Sequence, residues 1–125
     1  MARSAPDGHT LFIHNLQISA NVALYKSLPF DTEKDFIPIA MINANPLLLI
    51  GRKTLVANTL PELVAWMKTT PARTGHPGTG STGHLTTFML AQALGVEVTH
   101  IPYRGAAPML QDTLGDHIDL FLRIY

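Results

Sequence analysis

Helix patterns and short apolar runs alternate along the chain from Thr59 onward. Thr59 and Glu62 form the Ser/Thr-x-x-Glu pattern that is typical of a helix start. Four apolar residues then fall at the spacing of a single helical face: Leu60, Leu63, Val64 and Met67. The other elements predicted here are helices over residues 83–94 and 105–114 and strands over residues 96–103 and 117–122. This alternation favours an α/β fold in which the strands pair largely in parallel.

Apolar runs of strand length dominate the first half of the chain. Three buried strands are predicted, namely "TLFIH" over residues 10–14, "IPIAMI" over residues 37–42 and "PLLLIG" over residues 46–51. The polar stretch from Asn15 to Ser19 is expected to be a loop. Asn21 is expected to cap a short helix over residues 22–27.

Composition narrows the class of protein. The chain has 125 residues, of which 46% are hydrophobic and 14% charged, so it is long and apolar enough for a globular core. Its formal net charge is zero and it has no basic run, which argues against a nucleic-acid partner. Cysteine is absent, which excludes disulfides and thiolate metal sites. The opening "MARSAPDGHT" has no apolar segment, so we expect no signal peptide in this sequence.

The stretch "TGHPGTGSTGHL", residues 74–85, contains two nucleotide-binding patterns. The first is a phosphate loop whose lysine is replaced by Ser81, which leaves the charge of a triphosphate poorly matched. The second is a G-x-G-x-x-G from Gly78 to Gly83, which should follow an apolar strand. The preceding "PARTGHP" is too polar to predict that strand, and no acidic residue ends the next one. A nucleotide-dependent oxidoreductase therefore stays only as the alternative function.

A simpler interpretation of this loop is a site for a small anion. Three hydroxyl side chains, Thr79, Ser81 and Thr82, lie where the loop enters a predicted helix. The first N–H groups of a helix lack internal acceptors, and the helix dipole adds partial positive charge. A carboxylate can bind there without a cationic side chain. The alternative is that Ser81 only caps the helix, and the loop by itself leaves both open.

Histidine suggests two further chemistries that the spacing does not support. The six histidines are His9, His14, His76, His84, His100 and His117. No pair has the i, i+4 spacing of helical metal ligands, so we predict no metal site and expect surface or capped imidazoles. Ser81 and His84 also suggest a hydrolase, but Ser81 lies outside a G-x-S-x-G elbow and no acid is positioned to orient His84. His84 lies in the first turn of the predicted helix beside the loop, where it can donate a hydrogen bond either to a ligand or only to a loop carbonyl, and both interpretations stay open.

The chain resembles the Bug-type solute-binding receptors of tripartite tricarboxylate transport systems. The resemblance rests on four stretches in the family's order and spacing: "APDGHTLFI", "NVALYKSLPFDTEKDFIPIAMI", "PGTGSTGHL" and "VTHIPYRGAAPMLQDTLGDHIDLFL". It implies a periplasmic binding protein of type II-like fold, with two α/β lobes around a ligand cleft. Both lobes are expected to be incomplete in this chain, with residues 1–53 in the first and residues 54–125 in the second.

The family resemblance also implies a function without catalysis and without a cofactor. The expected ligand is a small carboxylate, namely a dicarboxylate, a tricarboxylate or an acidic amino acid, and the expected partners are the membrane subunits of the transporter. The family's carboxylate-gripping loop matches Gly78, Thr79, Gly80, Ser81, Thr82, Gly83 and His84. Asn15 matches a segment that faces the cleft, and Tyr103 matches a turn of the second lobe. The resemblance implies a periplasmic location. It also implies that this sequence corresponds to the central part of a receptor.

Overall fold

A computed structural model describes residues 2–125; Met1, with which the predicted first lobe begins, lies outside the described residues. The chain divides into two compact units between Ala44 and Asn45. This division precedes the lobe boundary predicted between Lys53 and Thr54, because the strand that begins at Leu47 pairs with the end of the chain. The assignment of residues 1–53 and 54–125 to two receptor lobes stays a prediction.

Within residues 2–44 the structure has one regular element, helix α1 (Gln17–Leu24). The expected loop over residues 15–19 is wrong from Gln17 onward, and Asn21 lies inside the helix instead of capping one over residues 22–27. The strands expected over residues 10–14 and 37–42 are also wrong. A strand needs a neighbouring strand for its backbone hydrogen bonds, and neither run has one within residues 2–44.

The unit from Asn45 to Tyr125 is a four-stranded mixed sheet with three helices. Its elements are β1 (Leu47–Gly51), α2 (Leu60–Met67), β2 (Ala72–His76), α3 (Thr82–Leu94), β3 (Val98–Pro102), α4 (Ala106–Leu114) and β4 (Leu120–Ile124). The strand order is β1-β4-β2-β3, and β2 is parallel to both of its neighbours. β1 is antiparallel to β4. The expectation of an α/β fold with largely parallel pairing is confirmed.

Strand β2 is the main element that the sequence did not predict. Its polar and small residues, "ARTGH", are almost all buried between two parallel neighbours. Gly75 allows this packing, because a Cβ on it would lie 2.5 Å from Ile118 and 2.8 Å from Met109. The objection that no strand precedes the Gly-rich loop is therefore wrong.

The three predicted helices of this unit are confirmed, and their ends follow their sequence signals. Thr59 caps α2 by accepting a hydrogen bond from the Glu62 N–H. Gly95 ends α3 in the left-handed conformation, with φ 63°, where glycine has no steric penalty. None of the helices within residues 2–125 has both the length and the apolar character to cross a membrane.

Apolar side chains form one cluster on each face of the sheet. Leu120 packs with Leu63 and Met67 of α2, whereas Phe121 packs with Met109 of α4. Successive strand residues point to opposite faces, so α2 and α4 cover opposite sides of β4. Helix α3 buries none of its large apolar residues: Phe88 and Met89 are exposed and Leu85 is half-buried. Its buried residues are small: Gly83, Thr87 and Ala91.

A buried carboxylate ties three segments of this unit together. Asp119 accepts hydrogen bonds from the Arg73 N–H at 2.9 Å and from both guanidinium groups, Arg52 at 2.9 Å and Arg73 at 2.8 Å. Burial alone would raise the pKa of Asp119, but these bonds to Arg73 and Arg52 outweigh it and lower the pKa to about 2. The sequence analysis did not identify this role of Asp119.

Candidate carboxylate site

The Gly-rich segment forms a tight connection between β2 and α3. Ser81 N–H donates to the Gly78 carbonyl at 3.1 Å, which closes a turn. Gly78 and Gly80 have φ of 144° and 77°, conformations in which a side chain would be strained. Gly83 lies so close to β4 that a Cβ would be 2.6 Å from the Leu122 carbonyl oxygen. The glycines are therefore required by this strand–loop–helix geometry.

Ser81 caps helix α3 and still has a hydroxyl proton with which to donate a hydrogen bond. Its Oγ accepts a hydrogen bond from the His84 N–H at 3.4 Å as the N-cap of α3. A hydroxyl has one proton to donate besides the lone pairs with which it accepts. Within the described chain no acceptor takes that proton, so capping and ligand binding are compatible. The N–H groups of Thr82 and Gly83 occupy the first two helical positions, which have no intrahelical acceptor.

His84 orders the loop from inside the first turn of α3. The Gly80 N–H donates to its Nδ1 at 3.1 Å, which places the ring proton of a neutral imidazole on Nε2. Burial, together with the neighbouring His76 and His100, lowers the pKa of His84. A neutral His84 therefore presents one N–H donor besides the bond to Gly80.

Tyr103 is already engaged within the fold. Its hydroxyl donates to the Asp112 carboxylate at 2.6 Å. Burial and this bond raise the pKa of Tyr103 to about 12. Because the hydroxyl has a single proton, a ligand carboxylate would have to displace Asp112 to receive it. The ligand role of Tyr103 stays a prediction.

Asn15 belongs to the other compact unit. Its side-chain oxygen accepts from the Gln17 N–H at 3.0 Å at the start of α1, and the side chain is exposed. Its assignment to a ligand site stays a prediction.

Three histidines converge beside the loop, which the sequence analysis did not foresee. The His76 ring centroid lies 4.2 Å from that of His84, and the His84 and His100 centroids are 4.9 Å apart. His76 is only 3% exposed, so the expectation of surface or capped imidazoles is wrong for this residue. No sequence signal for this cluster was available, because His76 lies on β2, the strand that the sequence did not predict.

The competing enzymatic interpretations gain no support from these contacts. The described hydrogen bond of the His84 ring is to Gly80, while Ser81 accepts from the His84 backbone, so no nucleophile–base bond joins the pair. A dinucleotide site needs an acidic residue at the end of this strand to bind the ribose. Strand β3 ends at Pro102 and is followed by Tyr103, so that carboxylate is missing there. Local resemblance to G-x-G-x-x-G here reflects close helix–strand packing at Gly83.

The fold and the loop together define a class of protein. A Gly-rich loop that follows a strand and opens a helix, with hydroxyl and N–H donors at that opening, is a geometry that suits a bound anion. The sequence model for the tripartite tricarboxylate transporter family receptor matches residues 1–124. The chain belongs to this receptor family.

Individual relatives agree with this assignment. The UPF0065 protein of the TAR-I ttuE–ttuC′ intergenic region of Agrobacterium vitis is 34% identical over 122 residues, which are 96% of this chain and 35% of that protein. The structure of the periplasmic binding protein BugD matches with a TM-score of 0.74 and 32% identity over 86% of this chain and 37% of that one. MatC from Rhodopseudomonas palustris with bound malate matches with a TM-score of 0.69 and 30% identity. The match covers 84% of this chain and 36% of the MatC chain.

The similarity to solved receptors confirms the expected fold family. This chain spans about a third of the length of the curated relatives that it matches. It therefore corresponds to a fragment of the full periplasmic-binding-protein fold. Receptors of this family bind solutes and are not enzymes, which supports the expected absence of catalysis at the level of the family.

Proposed function

We propose that this chain contributes the carboxylate-gripping loop of a periplasmic solute receptor, which captures a small dicarboxylate, tricarboxylate or acidic amino acid in an interlobe cleft. The receptor delivers its ligand to the membrane subunits of a tripartite tricarboxylate-type transporter. The observation that carries this proposal is the Ser81 hydroxyl, which caps α3 and keeps its proton for an acceptor. The bound malate in MatC supports a dicarboxylate as the first ligand to test.

The chemistry of the loop favours a carboxylate over a phosphate ester. At the opening of α3, partial positive charge comes from N–H groups, hydroxyl protons and the helix dipole. No lysine or arginine occurs between Pro77 and Leu85. One carboxylate carries a single negative charge, which such neutral donors can stabilise. A triphosphate would need a cation that this loop does not supply.

The test is a titration with malate, succinate, citrate, glutamate and aspartate, followed through the backbone amide resonances. Thr82, Gly83 and His84 amides are expected to shift together in a saturable manner, because they lie at the opening of α3. Ser81→Ala is expected to weaken binding by about 1 kcal/mol or somewhat more, as for the loss of a hydrogen bond to a charged group. Ser27→Ala, an exposed serine outside the loop, is the matched control and should bind normally.

Two results would contradict this proposal. One is the absence of shifts at Thr82, Gly83 and His84 with every carboxylate up to millimolar concentration. The other is saturable binding of NAD or ATP at the same amides, which would favour the nucleotide-dependent alternative.

A further inference from the structure

Three elements bring His76, His84 and His100 together. His76 ends β2, and His100 lies on the adjacent strand β3. The parallel register pairs His100 with Thr74, two residues before His76, so both imidazoles are on one face of the sheet. Helix α3 places His84 against them. One ring nitrogen from each residue lies within 4.8 Å of the other two.

Hydrogen bonding leaves this histidine cluster incompletely satisfied. The Nδ1 atoms of His76 and His100 are buried, and neither has a hydrogen-bond partner among the described residues. Burial of a polar atom without a hydrogen-bond partner lowers the stability of a fold, so such atoms usually have a role. No Asp or Glu belongs to the group that the described residues bring together. The cluster therefore offers imidazole nitrogens as ligand atoms, with no carboxylate among them.

We propose that His76, His84 and His100 form a binding site for a divalent transition-metal ion of the zinc class. Neutral imidazole nitrogens suit zinc, copper and nickel, whereas calcium and magnesium require oxygen ligands. Nitrogens at about 2.0–2.1 Å from a tetrahedral zinc ion are roughly 3.4 Å apart. Nitrogens that lie within 4.8 Å of one another must approach further, and the stacked rings of His76 and His84, whose planes are 25° apart, must reorient for both lone pairs to point at one ion. A fourth position is left for water or another ligand.

His84 makes this site responsive to the loop. Its Nδ1 lone pair accepts the Gly80 N–H, and a neutral imidazole has only one lone pair of this kind. Metal binding at His84 therefore replaces the Gly80 hydrogen bond or moves the ring proton. Either change alters the surroundings of the Gly80 amide, which gives the site a signature that nonspecific binding at surface histidines lacks. The metal site does not depend on the proposed carboxylate function.

The chain offers a matched pair of variants for the test. The cluster variant is H76Q/H84Q/H100Q, and the control variant H9Q/H14Q/H117Q removes the same number of imidazoles outside the cluster. Tag-free protein is titrated with Zn²⁺ by calorimetry. The expected result is one Zn²⁺ per chain for the unmodified protein and for the control variant. The cluster variant is expected to lose this binding.

Single substitutions keep the test decisive if the cluster variant does not fold. His84→Gln and His100→Gln change half-buried residues, and far-UV circular dichroism checks their folding. Each is expected to weaken Zn²⁺ binding by more than about tenfold, because one of three metal bonds is lost. Co²⁺ in the unmodified protein should give the intense visible absorption of a tetrahedral site, and Zn²⁺ should shift the Gly80 amide. Equal Zn²⁺ affinity in folded His84→Gln, or loss of binding in the control variant, would overturn the proposal.

Discussion

The two compact units use similar apolar sequences in opposite ways. Residues 2–44 contain no buried residue, and Ile13 and Ile37 are 77% and 86% exposed. In the other unit, Phe121 is 2% and Ile118 0% exposed. Both units have apolar runs of strand length, but only the second provides partner strands. An apolar run becomes a buried strand only when backbone partners and a covering helix are also present.

The first prediction compares one aromatic residue from each unit. Phe121→Ala is expected to destabilise residues 45–125 by about 3–5 kcal/mol, because it leaves a cavity beside Met109 and Ile118. Phe12→Ala, at 45% exposure, is expected to change the same transition by less than about 1 kcal/mol. Urea unfolding followed by the single tryptophan, Trp66, measures both. Similar losses for the two variants would show that the units unfold as one cooperative body.

The second prediction compares the buried ion-pair network of Asp119 with one exposed ion pair. Asp119→Asn is expected to cost roughly 3 kcal/mol, because it leaves Arg73 and Arg52 beside a neutral group that cannot replace the carboxylate. Asp31 pairs with Lys34 at 3.2 Å, but their side chains are 46% and 82% exposed. Asp31→Asn should leave the urea midpoint unchanged, since water screens such pairs. A midpoint for Asp119→Asn equal to that of the unmodified protein would show that the buried network contributes nothing to stability.

The third and smallest effect is the response of Asp119 to acid. Its pKa is about 2 in the fold against an ordinary value of 3.8, so folding favours the ionised carboxylate. The resulting stabilisation, roughly 2 kcal/mol, is complete above pH 3.8 and is lost as the pH falls toward 2. Carbon-13 resonances of the Asp119 carboxyl group should titrate in that range. The stability gap between the unmodified protein and Asp119→Asn should narrow over the same interval.

Other carboxylates supply the control for this pH dependence. The Tyr103 hydroxyl lowers the pKa of Asp112, and the Asn58 N–H lowers the pKa of Glu62. Both interactions persist in Asp119→Asn, so the variant keeps their share of acid sensitivity. An Asp119 carboxyl that titrates near its ordinary pKa would contradict the assigned bonding to Arg73 and Arg52.

Local signals predicted the three helices of residues 45–125 well. Thr59 and Glu62 identified the start of α2, and the helices predicted to end at residues 94 and 114 do so, each followed by a glycine. These signals work because a helix forms its hydrogen bonds within one segment, so its ends are determined by adjacent residues. The same reasoning gave Ser81 as the N-cap of α3 in one of the two interpretations left open, and Ser81 occupies that position.

Strands and the histidine cluster were harder to predict because they depend on distant residues. Strand β2 has the polar sequence "ARTGH" and is buried because two parallel strands flank it. The runs over residues 10–14 and 37–42 are apolar but have no partner within their unit. His76 and His100 are 24 residues apart in the sequence and meet only through the register of β2 and β3.

The sequence alone determined the α/β class, the three helices of residues 45–125, the Gly-rich loop and the receptor family. Each of these depends on patterns within a single stretch or on their order along the chain. Only the tertiary structure decided that β2 exists, that Asp119 joins Arg52 to Arg73, and that three histidines converge. These features arise from pairing between segments, and a one-dimensional pattern does not specify which segments become neighbours.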